Sequence, residues 1–109
     1  MDYYDIIKDE WKVLEPQLNT VRSESSACVF NDTTIYISGG YNKEAGTLGS
    51  IEKFDIALNK IIPIEVKMPT PLRLFASVKI SNTKILFLGG SEKVGRDTDS
   101  VYCFDNEIS

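Results

Sequence analysis

The chain has 109 residues, 42% of them hydrophobic, with a net charge of −4 and no histidine. That length holds about one small domain, and Lys and Arg scattered singly among the acids argue against a nucleic-acid partner. Without imidazole, His-based catalytic triads and His-ligated metals are excluded, and no apolar run approaches the roughly 18–20 residues of a membrane-spanning helix.

The chain opens on Met1-Asp2-Tyr3-Tyr4-Asp5, which is acidic and has no apolar signal-peptide core. A cytoplasmic setting is therefore expected, with cytoskeletal association left open. A strand is expected around Tyr4-Asp5-Ile6. Trp11 to Leu14 then alternates in polarity like an outer strand, and Pro16 ends it. Residues 17–24 form a connection carrying Arg22. Ser25 to Phe30 reads as a strand of small residues, and Asn31-Asp32-Thr33 as a hairpin turn. The run Ile35-Tyr36-Ile37-Ser38 into Gly39-Gly40 reads as a strand buried on both faces and broken by its glycines. A loop over 41–49 leads to strands at 51–56 and 61–66, where Pro63 suits an edge. After Met68-Pro69-Thr70-Pro71 and Arg73, the order recurs: strands at 75–80 and 85–88, Gly89-Gly90, a polar loop over 91–99, and a strand at 101–105. The tail Asn106-Glu107-Ile108-Ser109 adds no fourth strand. Nine short antiparallel strands and no helical periodicity make an all-β chain.

A shift of fifty residues superimposes these strings. It pairs Ser50 to Asp55 with Ser100 to Asp105, Glu15 with Glu65, Thr20 with Thr70, Thr33 with Thr83 and Ile35 with Ile85. The aromatic-Asp pair occurs three times, ending at Asp5, Asp55 and Asp105. Arg22 aligns with Arg73 only if the step is fifty-one, which suggests a connection of variable length.

This pattern resembles the Kelch repeat, the unit of Kelch-type β-propellers. The residues that carry the likeness are Gly39-Gly40 and Gly89-Gly90, Phe54-Asp55 and Phe104-Asp105, Arg22 and Arg73, Trp11 in a fourth strand, and Tyr41 after the first glycine pair. Ile61 and Ser91 depart from the pattern where Trp11 and Tyr41 would recur. The resemblance implies blades of four antiparallel strands, ordered outward from a central axis as in the sequence. On that basis residues 1–15 are the two outer strands of a preceding blade, 16–66 a full repeat, and 67–109 a repeat lacking its outermost strand. Such an arc is an incomplete ring, completed by further blades of a longer protein or by another chain.

The resemblance also implies a non-catalytic protein-interaction module. In this reading Arg22 and Arg73 stand near the central channel, able to grip acidic groups of a protein partner or, alternatively, to bond carbonyls of the neighbouring blade. Tyr41, Asn42, Lys43, Lys93 and Arg96 lie in the loops of the same face. No nucleic acid, membrane, metal or cofactor is expected. Two alternatives stay open: a propeller enzyme with its catalytic groups in missing blades, and the substrate receptor of a ubiquitin-ligase adaptor. Asp5, Asp55 and Asp105 are expected to bond the turn after the third strand. Cys28 and Cys103 are expected to be small buried residues.

Overall fold

A computed structural model describes residues 2–14 and 16–106. Glu15 and the tail residues 107–109 lie outside the described residues. All regular structure is β, in antiparallel pairs. Strands β1 (Asp2–Asp5) and β2 (Glu10–Val13) form a hairpin. Strands β3 (Ser26–Asn31), β4 (Thr34–Ser38), β7 (Ile51–Asp55) and β8 (Lys60–Ile64) form a four-stranded sheet in chain order. Strands β9 (Ala76–Lys79), β10 (Lys84–Leu88) and β13 (Val101–Asp105) form a three-stranded sheet in the same order. Pro63 sits in β8, at the sheet edge, where its missing N–H costs no ladder bond.

Both segments read as loops contain a small hairpin. β5 (Tyr41–Asn42) pairs with β6 (Gly46–Thr47), and β11 (Ser91–Lys93) pairs with β12 (Arg96–Asp97). They escape a reading by apolar runs because their residues are polar or glycine.

The step of fifty holds in the backbone. Thr34 opposes Asp55 as Lys84 opposes Asp105, and Ser38 opposes Ile51 as Leu88 opposes Val101. Glu24 and Leu74 share a left-handed φ, 56° and 55°. Ser23 bridges Tyr41 as Arg73 bridges Ser91. This overturns the expected shift: Arg73 stands in the position of Ser23, and the counterpart of Arg22 is Leu72. The connection has constant length, and the two arginines are not equivalent.

The core lies between the two larger sheets. Cys28, Phe30, Tyr36 and Ile51 of the first meet Ile85, Phe87 and Phe104 of the second, with Met68, Leu72 and Phe75 from the segment joining them. Phe104 stands edge-on to Tyr36 at 5.3 Å, and the Tyr36 hydroxyl donates to Asn106 Oδ1 at 2.8 Å. The glycine pairs serve this packing. Gly39 and Gly40 have φ of 62° and 101°, Gly89 and Gly90 of 65° and 92°, a region costly for other residues. A Cβ on Gly39 would also collide with the Leu72 carbonyl and the Phe75 ring of the second repeat.

Two expectations are corrected here. β10 is not buried on both faces, since Lys84 and Leu88 are exposed and Leu86 is half-buried. Cys103 is exposed, because it points away from the core on β13, an edge strand among the described residues. Trp11 is 72% exposed and tilts against Tyr4.

Candidate interaction face

Each glycine pair runs into a small hairpin tied back to the segment that leads into the same sheet. Ser23 and Tyr41 exchange backbone hydrogen bonds of 2.9 and 2.8 Å, as do Arg73 and Ser91. Asn42 fastens the first hairpin further: its Nδ2 donates to the Val21 carbonyl at 2.9 Å, and its Oδ1 accepts the Ala45 N–H at 2.7 Å. A groove of about 670 Å³ lies between residues 19–23 and 41–44.

Arg22 lines that groove with its backbone side, while its guanidinium is turned inward. Nε donates to Glu52 Oε2 at 2.9 Å, Nη1 to the carbonyls of Gly39 and Ser50 at 2.9 and 3.0 Å, and Nη2 to Ser50 Oγ at 3.0 Å. Nη2 also lies 2.7 Å from Glu52 Oε2, and the two side chains are 0% and 2% exposed. Glu52 Oε1 accepts the Asn19 N–H at 2.6 Å. These partners engage all three nitrogens of the guanidinium. The expectation that Arg22 grips a partner is therefore replaced by a structural role: it fixes its own lead-in segment to β7 and to the end of β4.

The second repeat lacks this pair. Leu72, fully buried, stands in place of Arg22, and Tyr102 in place of Glu52. Tyr102 keeps a tie to the lead-in segment through a 3.1 Å hydrogen bond between its hydroxyl and Thr70 Oγ1.

Arg73 is different in kind. Its guanidinium carbon lies 5.0 Å from the centre of the Tyr41 ring, and Nε is 3.1 Å from Glu24 Oε2. That Nε is buried but makes no well-directed hydrogen bond among the described residues. Both neighbours belong to the first repeat, so Arg73 bridges two adjacent sheets at the hairpin face. Lys43 and Lys93 are exposed at the hairpin tips. Arg96 pairs with Glu92 at 2.7 Å, a surface contact of about 0–1 kcal/mol, and Asp97 accepts the Ser91 hydroxyl.

The structure thus brings Arg73 and Tyr41 together, places Lys93 and Arg96 on one hairpin, and assigns Arg22 to an internal network. Sequence reasoning missed Glu24 and Glu52. For Glu52 a signal existed: at a step of fifty, Arg22 faces Leu72 and Glu52 faces Tyr102, so both members of the pair change together.

The motif residues fall at turns and in the core. Phe54 and Phe104 are buried. Asp5 Oδ1 accepts the N–H groups of Ile7 and Lys8 at 3.0 and 3.1 Å, and Asp55 Oδ1 that of Leu58 at 3.0 Å. Such carboxylates stabilise the turn after the third strand.

Over 80 residues, 72% of the chain, the sequence is 38% identical to Kelch-like protein 23 of Homo sapiens. The chain belongs to the Kelch-repeat family. The same protein of Pongo abelii and of Mus musculus matches over the same length at the same identity. The Kelch repeats here span 14% of the length of those relatives, and no family model matches the chain. Burial raises the Cys28 thiol above its ordinary pKa, against a weaker lowering influence of Lys79, and burial alone raises the Tyr36 hydroxyl. Neither Kelch-core group is thereby prepared for chemistry at neutral pH.

Proposed function

We propose that the chain is a non-catalytic interaction module that displays the β5–β6 and β11–β12 hairpins and Arg73 to a protein partner. The observation that carries this reading is the Arg73 guanidinium, held over Tyr41 beside Glu24, with an Nε that makes no well-directed hydrogen bond among the described residues. Such a group favours an incoming carboxylate or carbonyl. Lys43, Lys93 and Arg96 extend the cationic surface, while Glu44 and Glu92 keep it mixed in charge, which suits a protein better than a nucleic acid. The missing histidines and the family support a non-enzymatic role. Residues 1–15, 16–66 and 67–109 are proposed as parts of three successive blades of a ring. Two free thiols support a cytoplasmic setting.

Affinity capture on the full chain tests this. The triple variant Arg73→Ala, Lys93→Ala, Arg96→Ala is expected to lose a partner that the parent retains, with an unchanged far-UV spectrum. Full retention by the folded variant sinks the reading.

A further inference from the structure

Arg22 and Arg73 each meet a glutamate, and the two pairs differ in burial and in direction. The Arg22–Glu52 pair is sealed, with side chains 0% and 2% exposed and a well-directed Nε hydrogen bond of 2.9 Å. In the Arg73–Glu24 pair the side chains are 15% and 36% exposed. Glu24 Oε2 stands 3.1 Å from Arg73 Nε, yet that nitrogen makes no well-directed hydrogen bond among the described residues. The carboxylate supplies charge without direction. A strong charge-assisted hydrogen bond needs both, so an acidic group approaching in line would hold this guanidinium better than Glu24 does.

Arg73 has other means of keeping its place. Its backbone exchanges hydrogen bonds of 2.9 and 2.8 Å with Ser91, and its guanidinium carbon lies 5.0 Å from the centre of the Tyr41 ring, within cation–π reach. Glu24 is anchored through its backbone, where φ is 56° and the carbonyl accepts the Leu74 N–H at 2.9 Å. Its carboxylate, about a third open to solvent, can turn away with no change in that backbone.

The cluster lies at the joint of the two repeats, and both sides of the joint belong to this chain. Adjacent repeats leave these positions open. Ser23 holds the place of Arg73 in the first repeat and is exposed with a following repeat present. Leu74 holds the place of Glu24 in the second repeat and is 61% exposed with a preceding repeat present.

We infer that Glu24 is a resident competitor for Arg73, and that a partner's carboxylate engages the guanidinium by displacing the Glu24 side chain into solvent. This rests on the interaction reading of Arg73 given above and narrows it. The group that replaces Glu24 is an anion, because a neutral carbonyl would leave the guanidinium without the charge that departs. The partner therefore presents an acidic segment.

The sign of one substitution tests this. The probe is a fluorescein-labelled hexaglutamate peptide at low ionic strength, where exposed charges are least screened. Anisotropy gives its affinity, and the NMR signal of the Arg73 Nε–H locates it. The parent is expected to show a saturable shift of that signal, which a hexaglutamine peptide does not give. Glu24→Gln keeps the shape and removes the charge, and is expected to tighten binding roughly two- to fivefold. Glu44→Gln removes the same charge from the exposed tip of the β5–β6 hairpin and is expected to leave affinity unchanged. In an Arg73→Ala background the gain from Glu24→Gln is expected to vanish. Weaker or unchanged binding by Glu24→Gln overturns the inference and leaves the interaction reading standing, as does an equal gain from Glu44→Gln. An Arg73 signal that moves in neither parent nor variants overturns both.

Discussion

The first and second repeats share strand order, register and turn geometry, yet they tie the lead-in segment to the sheet with opposite chemistry. The first uses a buried Arg22–Glu52 pair that also bonds Asn19, Gly39 and Ser50. The second uses Leu72 in the core and a single hydroxyl bond from Tyr102 to Thr70. The backbone therefore sets the architecture, and either a saturated ion pair or an apolar contact with one polar tie can occupy the joint. Buried ion pairs and apolar replacements of similar volume are often close in net stability, whereas half a pair is costly.

That contrast is broken most strongly by removing one partner. Glu52→Ala leaves the Arg22 guanidinium buried and uncompensated, and is expected to cost about 3–5 kcal/mol in denaturant unfolding. Tyr102→Phe, at the equivalent position, is expected to cost only about 0.5–1.5 kcal/mol. Similar losses for the two would erase the distinction.

The glycines sharpen the comparison. Alanine at Gly39 or at Gly89 must adopt a left-handed φ at a cost of about 1–2 kcal/mol. Only at Gly39 does it also strike Leu72 and Phe75, adding about 1–3 kcal/mol of overpacking. Thermal midpoints should therefore fall further for Gly39→Ala.

The smallest effects concern thiols and hydroxyls. Cys103 is expected to react readily with a thiol reagent at neutral pH and Cys28 only on unfolding, since one is exposed and the other buried. Cys28 and Tyr36 both have folded pKa values raised by burial, so their protonated forms favour folding. That stability is fully present below about pH 9, the ordinary thiol value. It declines as pH rises through the raised folded values of the two groups. Unfolding at a series of alkaline pH values checks the decline, and Cys28→Ala should remove the part due to the thiol.

Much of the architecture was legible because it rests on local rules applied twice. Glycine pairs, aromatic-Asp turns and apolar runs recur at one step, and the structure keeps that step in register. The short hairpins were not legible, because two or three polar residues carry no periodic signal. Arg22 and Arg73 were misread for a different reason. Matching them by residue type required a step of fifty-one, while the φ values of Glu24 and Leu74 and the bridges of Ser23 and Arg73 keep it at fifty. Cys103 and Leu86 followed their repeat positions, but their exposure depends on what covers the second sheet, and composition does not encode that.

The claim that both joints serve one backbone is tested most directly by transplanting one into the other. The double variant Arg22→Leu, Glu52→Tyr gives the first repeat the chemistry of the second. Its unfolding free energy is predicted to lie within about 1.5 kcal/mol of the parent, while each single variant loses about 3 kcal/mol or more. Equal or greater loss in the double variant would contradict the account.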